Sequence, residues 1–182
     1  MHPRTVELLR HLDDARARLT SARDAVPAER RDRRPPGGAW SIGNVLAHLA
    51  RTEAQVATLL QRKLRTAMAD NALPALADPR PLSAALGDFD GERLLDRAQR
   101  VAAPESARPD PTQTANEAWQ ALQDARQRMR QLLLAADGLD TDTLRAPHPL
   151  LGELTFVQWV AFVGYHERRH AAQIDELAAA AD

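Results

Sequence analysis

The chain contains no cysteine. Disulfides, thiolate-ligated metals and a cysteine nucleophile are therefore excluded, and any thiol chemistry needs a thiol supplied from outside. Lysine is almost as scarce: Lys63 stands alone, so nearly all of the 24 basic residues are arginine. Set against 25 acidic residues, they leave a formal net charge of −1. No long-range field exists to attract nucleic acid or anionic lipid, and neither partner is expected. Aromatic residues make up only 4% of the chain, and no segment alternates apolar and polar residues over a strand's length, so no sheet is expected. No run of 18 apolar residues occurs, which excludes a membrane-spanning helix. The opening residues Met1-His2-Pro3-Arg4-Thr5-Val6-Glu7 lack the apolar stretch of a secretory signal, so a cytoplasmic location is the expectation.

What is abundant is alanine, 35 residues of 182, which favours helix. The length suits a single domain over residues 1–182, able to bury roughly 70% of the surface its unfolded chain exposes.

Four segments carry a helical periodicity. The first runs from about Arg4 to Ala25, with Val6, Leu8, Leu9, Leu12 and Leu19 on one stripe, and stops near Pro27. Arg30 to Gly38, rich in arginine, proline and glycine, reads as a loop. Ser41 is a suitable N-cap for a second helix reaching about Ala69, with Val45, His48/Leu49, Thr52, Val56 and Leu59 facing inward. A proline-rich interval from Leu73 to Pro111 follows, with residues 73–87 reading as loop and Phe89 to Ala103 as one additional short helix carrying Leu94, Leu95 and Val101. Thr114-Ala115-Asn116-Glu117 is a capping box opening a helix with Trp119, Leu122, Met129 and Leu132/Leu133, which ends at Gly138. After a loop with Pro147, Pro149 and Gly152, a second capping box, Thr155-Phe156-Val157-Gln158, opens the last helix, to about Ala180. Its stripe is Trp159, Val163, His166, His170, Gln173/Ile174 and Leu177. The pattern predicts an all-α four-helix bundle with a long crossover connection and one additional short helix.

Three of the six histidines, His48, His166 and His170, lie on stripes that should face the core. One inward histidine is ordinarily a neutral imidazole bonded to a carbonyl or hydroxyl. In His166-Glu167-Arg168-Arg169-His170 two imidazoles stack one turn apart. Buried separately, each needs its own partner, whereas one divalent cation satisfies both. His48 offers a third ligand from another helix.

The same five residues match H-E-x-x-H, the motif of zinc metalloproteases. Only 12 residues follow His170, no third histidine is among them, and no strand is evident to align a peptide. Proteolysis is set aside. Glu167 remains the candidate general base, with pairing to Arg168 or Arg169 as its alternative role. Gln173, seven residues past His166 and three past His170, lies near their face and reads equally as a bond to a ligand or substrate or as helix packing. Trp40 and Trp159 read as packing residues before substrate platforms, His148 as an exposed loop histidine with an approach to the pocket as its alternative, and Arg168 and Arg169 as a solvated face before a site for a substrate carboxylate.

Two longer stretches carry a more specific pattern. Trp40-Ser41-Ile42-Gly43-Asn44-Val45-Leu46-Ala47-His48-Leu49 resembles the W-S-x-x-x-x-x-x-H-L signature of DinB/YfiT-like proteins. His148-Pro149-Leu150-Leu151-Gly152-Glu153-Leu154-Thr155 through Trp159, then His166-Glu167-Arg168-Arg169-His170-Ala171-Ala172-Gln173-Ile174, resembles that family's C-terminal block. The resemblance implies a four-helix bundle that holds a divalent metal through His48, His166 and His170, with zinc or nickel favoured over manganese or iron. It also implies a homodimer, a small-molecule substrate and a thiol-dependent S-transferase role in detoxification or stress response, with bacillithiol or mycothiol as cofactor. A metal-dependent small-molecule hydrolase, and a non-catalytic stress or interaction protein with a structural metal, stay open as alternatives.

Overall fold

The apolar stripes assemble as a bundle in a computed structural model that describes residues 1–36, 40–77, 81–99 and 102–180. Helix α1 spans Pro3–Asp24, α2 Ile42–Ala69, α3 Leu82–Leu86, α4 Ala115–Ala135 and α5 Phe156–Ala179. Ser41, Thr114 and Thr155 each accept the N3 amide of the helix they open, while Asn44, Glu117 and Gln158 bond back to the cap. Each box satisfies two amides that the helix start leaves without partners. The all-α four-helix bundle is thus present, with α2 packed mainly on α4 and α1 on α5. Gly164 permits the second pairing, because a Cβ there would lie 2.2 Å from the His11 ring. No helix among the described residues is long and apolar enough to cross a membrane.

The core is divided in two. One apolar cluster gathers Leu8, Leu12, Leu60, Met129, Phe156 and Val160. The other gathers Leu19, Val45, Leu46, Leu122, Ala171 and Ile174. Between them each long helix turns one charged side chain inward: Arg16 from α1, Glu53 from α2, Arg126 from α4 and Glu167 from α5. Glu167 is 1%, Glu53 3% and Arg126 5% exposed, while Arg16 is partly exposed and closes the layer toward the surface, where it also bonds Gln123.

Two expectations need correction. Strands β1 (Arg145–His148) and β2 (Gly152–Thr155) form an antiparallel hairpin ahead of α5, in a register that pairs Ala146 with Leu154. Ala146 and Leu154 are buried while Arg145 and Glu153 are exposed, but β2 closes on two buried residues, so only β1 alternates. The pyrrole N–H of Trp159 donates to the Ala146 carbonyl over 3.1 Å and ties the hairpin to α5. In the turn, Nδ1 of His148 accepts from the amides of Leu150 and Leu151, and Gly152 takes a φ of 75°.

Nor does Phe89 to Ala103 form a helix: among its described residues only a 3₁₀ turn, Glu92–Leu95, is regular, and Val101 lies outside the described residues. The guanidinium of Arg169 accounts for this. It donates to the carbonyls of Leu94 (2.8 Å), Asp96 (2.5 Å) and Gln99 (2.6 Å), which a helix would reserve for its own amides. The short helix of the crossover is instead α3, inside the stretch read as loop.

Candidate metal centre

The three inward histidines meet. His48 lies two turns into α2, His166 and His170 one turn apart on α5, and the crossover folds over them. Nε2 of His166 sits 3.2 Å from Nε2 of His48 and 3.1 Å from Nε2 of His170. One ligand atom from each ring falls within 4.8 Å of the others.

The outer nitrogens determine what the inner ones present. Nδ1 of His48 bonds the Ala107 carbonyl at 2.7 Å, and Nδ1 of His170 bonds Oε1 of Gln173 at 2.7 Å. An oxygen acceptor requires the proton on Nδ1, which leaves both Nε2 atoms bare. Protonated on Nε2, the His166 ring can donate to only one of them; protonated on Nδ1, it sets its own lone pair against both. A divalent cation removes that conflict. Two edges of 3.1–3.2 Å match the roughly 3.3 Å between nitrogens that zinc–nitrogen bonds of about 2.0–2.1 Å require at a tetrahedral angle. Burial holds the rings neutral: it pushes His170 down to about 3, His166 well below its ordinary range with help from the neighbouring His170 and His48, and His48 downward too.

Two aromatic rings pack against the cluster. Phe162 stacks on His166 with ring centroids 5.2 Å apart, and Trp40 lies 5.1 Å from His48. His148, read as a loop histidine, is partly buried at the hairpin end against Phe162 and Trp159, one ring removed from His166. The crossover contributes the Ala107 carbonyl from the 3₁₀ turn Glu105–Ala107, held on α2 by Arg51 and Gln55 through the Ser106 carbonyl. Gln173 bonds a candidate ligand, as its place on the helix suggested.

Glu167 has a different setting from the one its motif suggests. Oε1 accepts from Nε of Arg16 at 2.6 Å and Oε2 from a terminal nitrogen of Arg126 at 2.8 Å. Glu53 joins the same two cations, at 2.6 Å from Nε of Arg126 and 3.3 Å from Arg16. Burial opposes the Arg126 charge, but Glu167 and Glu53 more than offset it and its pKa is raised; burial raises the Glu53 carboxyl against the pull of Arg126. With both oxygens held by guanidinium groups, Glu167 is placed as a core ion-pair partner, and the general-base role is not carried forward. Its cations are Arg16 and Arg126 rather than Arg168 or Arg169. Arg169 is spent on the crossover, and Arg168 lies 3.6 Å from Glu92. Sequence reading missed Arg16, Glu53 and Arg126, although each interrupts an apolar stripe, as in Leu12-Arg16-Leu19 and Leu122-Arg126-Met129.

Residues 11–174 match the family model of the DinB superfamily. The chain belongs to that superfamily. An uncharacterized protein, YuaE of Bacillus subtilis (strain 168), is 24% identical over 166 residues, spanning 91% of this chain and 93% of that protein. Among solved structures, a four-helix bundle protein, TT2238, superposes with a TM-score of 0.56 at 19% identity, covering 92% of this chain and 94% of that one. At that identity the likeness speaks for the fold. The three-histidine cluster accords with a superfamily whose members often bind metals.

Proposed function

We propose that the protein is a divalent-metal enzyme with His48, His166 and His170 as ligands, transferring a low-molecular-weight thiol onto small electrophiles. The observation that carries the reading is the convergence of three Nε2 atoms, two of them on rings whose Nδ1 is anchored to an oxygen acceptor. In that arrangement His48 and His170 are oriented before a metal arrives, so little ordering remains to be done on binding. Three neutral imidazoles supply no negative charge, so a bound ion would keep its Lewis acidity and lower the pKa of a thiol or water coordinated to it. Phe162 and Trp40 give the cluster an apolar flank suited to an uncharged electrophile. The chain holds no cysteine, so the sulfur must come from a cofactor such as bacillithiol or mycothiol. A cytoplasmic homodimer belongs to the same proposal.

The test has two stages. Elemental analysis of protein purified without an affinity tag should find close to one zinc or nickel ion per chain, lost in His48→Ala, His166→Ala and His170→Ala. The metal-loaded protein is then offered thiols with epoxide, alkyl halide and activated alkene acceptors. Absence of metal refutes the centre, and turnover that persists without thiol replaces transfer by hydrolysis. Metal binding with no turnover under either condition leaves a structural ion, and the three variants should then only lower Tm.

A further inference from the structure

Between the histidine cluster and the ion-pair layer the bundle encloses a cavity of about 10 Å³, the space that one water molecule's centre requires. Thr52, Glu53, His166 and Glu167 line it, and apolar side chains complete the wall. One polar group at this wall has no partner among the described residues. Oγ1 of Thr52 is buried without a hydrogen bond. His166 lines the same wall, with its Nε2 turned toward His48 and His170, whose own Nδ1 atoms are bonded to oxygens.

We propose that the cavity holds one structural water, anchored by the Thr52 hydroxyl, that serves as hydrogen-bond acceptor for Nδ1–H of His166. An unpaired buried hydroxyl is costly, and polar cavities of this size normally hold a bridging water. The water accepts from Nδ1–H of His166 and from Oγ1–H of Thr52. Its own hydrogens go to Glu53 and Glu167, whose oxygens keep lone pairs beyond those given to arginine. His166 thereby gains the oriented partner that the other two rings find in carbonyl oxygens. Thr52 stands one turn beyond His48 on α2, so a single helix face carries a candidate ligand and the positioning group for another. The consequence for metal affinity rests on the metal-centre reading; the water itself does not.

Thr52→Val tests this, because valine keeps the side-chain shape and removes only the hydroxyl. Crystals of metal-free and zinc-loaded wild type should show a water within hydrogen-bond distance of Oγ1 of Thr52. Metal-free T52V should melt several degrees below wild type, and its zinc affinity, read by chelator competition, should fall about 10-fold. T52S should recover both. A dry cavity overturns the proposal. So does a T52V melting point at or above wild type, since replacing an unpaired hydroxyl by methyl relieves the core. Unchanged zinc affinity in T52V overturns the link to His166. If wild type binds no zinc, the metal-centre reading fails, while the crystals and melting points still decide for or against the water.

Discussion

Arg126→Met preserves side-chain length but removes a cation that touches both buried carboxylates. The wild-type guanidinium donates to Glu53 at 2.6 Å, to Glu167 at 2.8 Å and to the Leu12 carbonyl at 2.6 Å. In the variant Arg16 alone faces two carboxylates, leaving one negative charge unneutralised in a layer where Glu53 and Glu167 are at most 3% exposed. Breaking a buried pair on one side costs about 3–5 kcal/mol. At roughly 2–4 °C per kcal/mol for a chain of this size, that corresponds to a fall in Tm of about 10 °C. Urea denaturation followed by circular dichroism measures the free energy, and calorimetry the midpoint. Adding Glu53→Met to R126M removes the stranded charge and should restore much of the loss, even though two polar residues are then gone. Replacing all four charged residues by apolar ones of similar volume should be neutral or stabilising. A loss below about 1 kcal/mol in R126M, or a double variant no more stable than the single, would refute the argument that charge balance governs this layer.

Acid should destabilise the metal-free protein through its histidines. The folded pKa of His170 is about 3, below the unfolded value near 6.5, so unfolding takes up protons between these limits. The associated stability is full above pH 6.5 and lost as pH falls toward 3, about 2 kcal/mol by pH 5 from this ring alone. Denaturation of H170N across that interval should show a shallower decline, and an equal slope would contradict the burial argument. Gln173→Leu removes the acceptor for Nδ1 of His170 and should weaken metal binding about 10–100-fold, measured by chelator competition; unchanged affinity would mean the anchor is dispensable. Arg169→Ala releases three carbonyls of the crossover and should speed proteolytic cleavage within residues 94–99, with α5 still protected.

The long helices were readable because each combines an apolar stripe with an identifiable cap or stop: Ser41, Thr114 and Thr155 at the starts, Pro27 and Gly138 near the ends. The histidine trio was readable for the same reason, since His48, His166 and His170 occupy stripe positions where an imidazole must find a partner. The hairpin was not, because four residues per strand give too little alternation and Pro147 argues against a strand. The crossover was misplaced because its geometry is imposed from α5 by Arg169, a contact between residues some 70 apart in the chain. The charged layer left a trace in the sequence, yet a lone arginine in an apolar stripe reads as a surface position until its partners on other helices are known. Glu167 shows the limit of a motif: its neighbour His170 faces the cluster, while its own carboxylate belongs to the layer behind.

That layer also acts as a key for axial alignment. Apolar cores tolerate sliding, because one leucine can replace another against the same neighbour. Four charges, two of each sign and one from each rod, cannot be exchanged in this way. A slip of one turn, about 5.4 Å, would carry a charge out of the plane and leave its counterions unmatched. Since Glu53 follows His48 by five residues and Glu167 directly follows His166, the balanced alignment is also the one that brings the imidazoles to a common height.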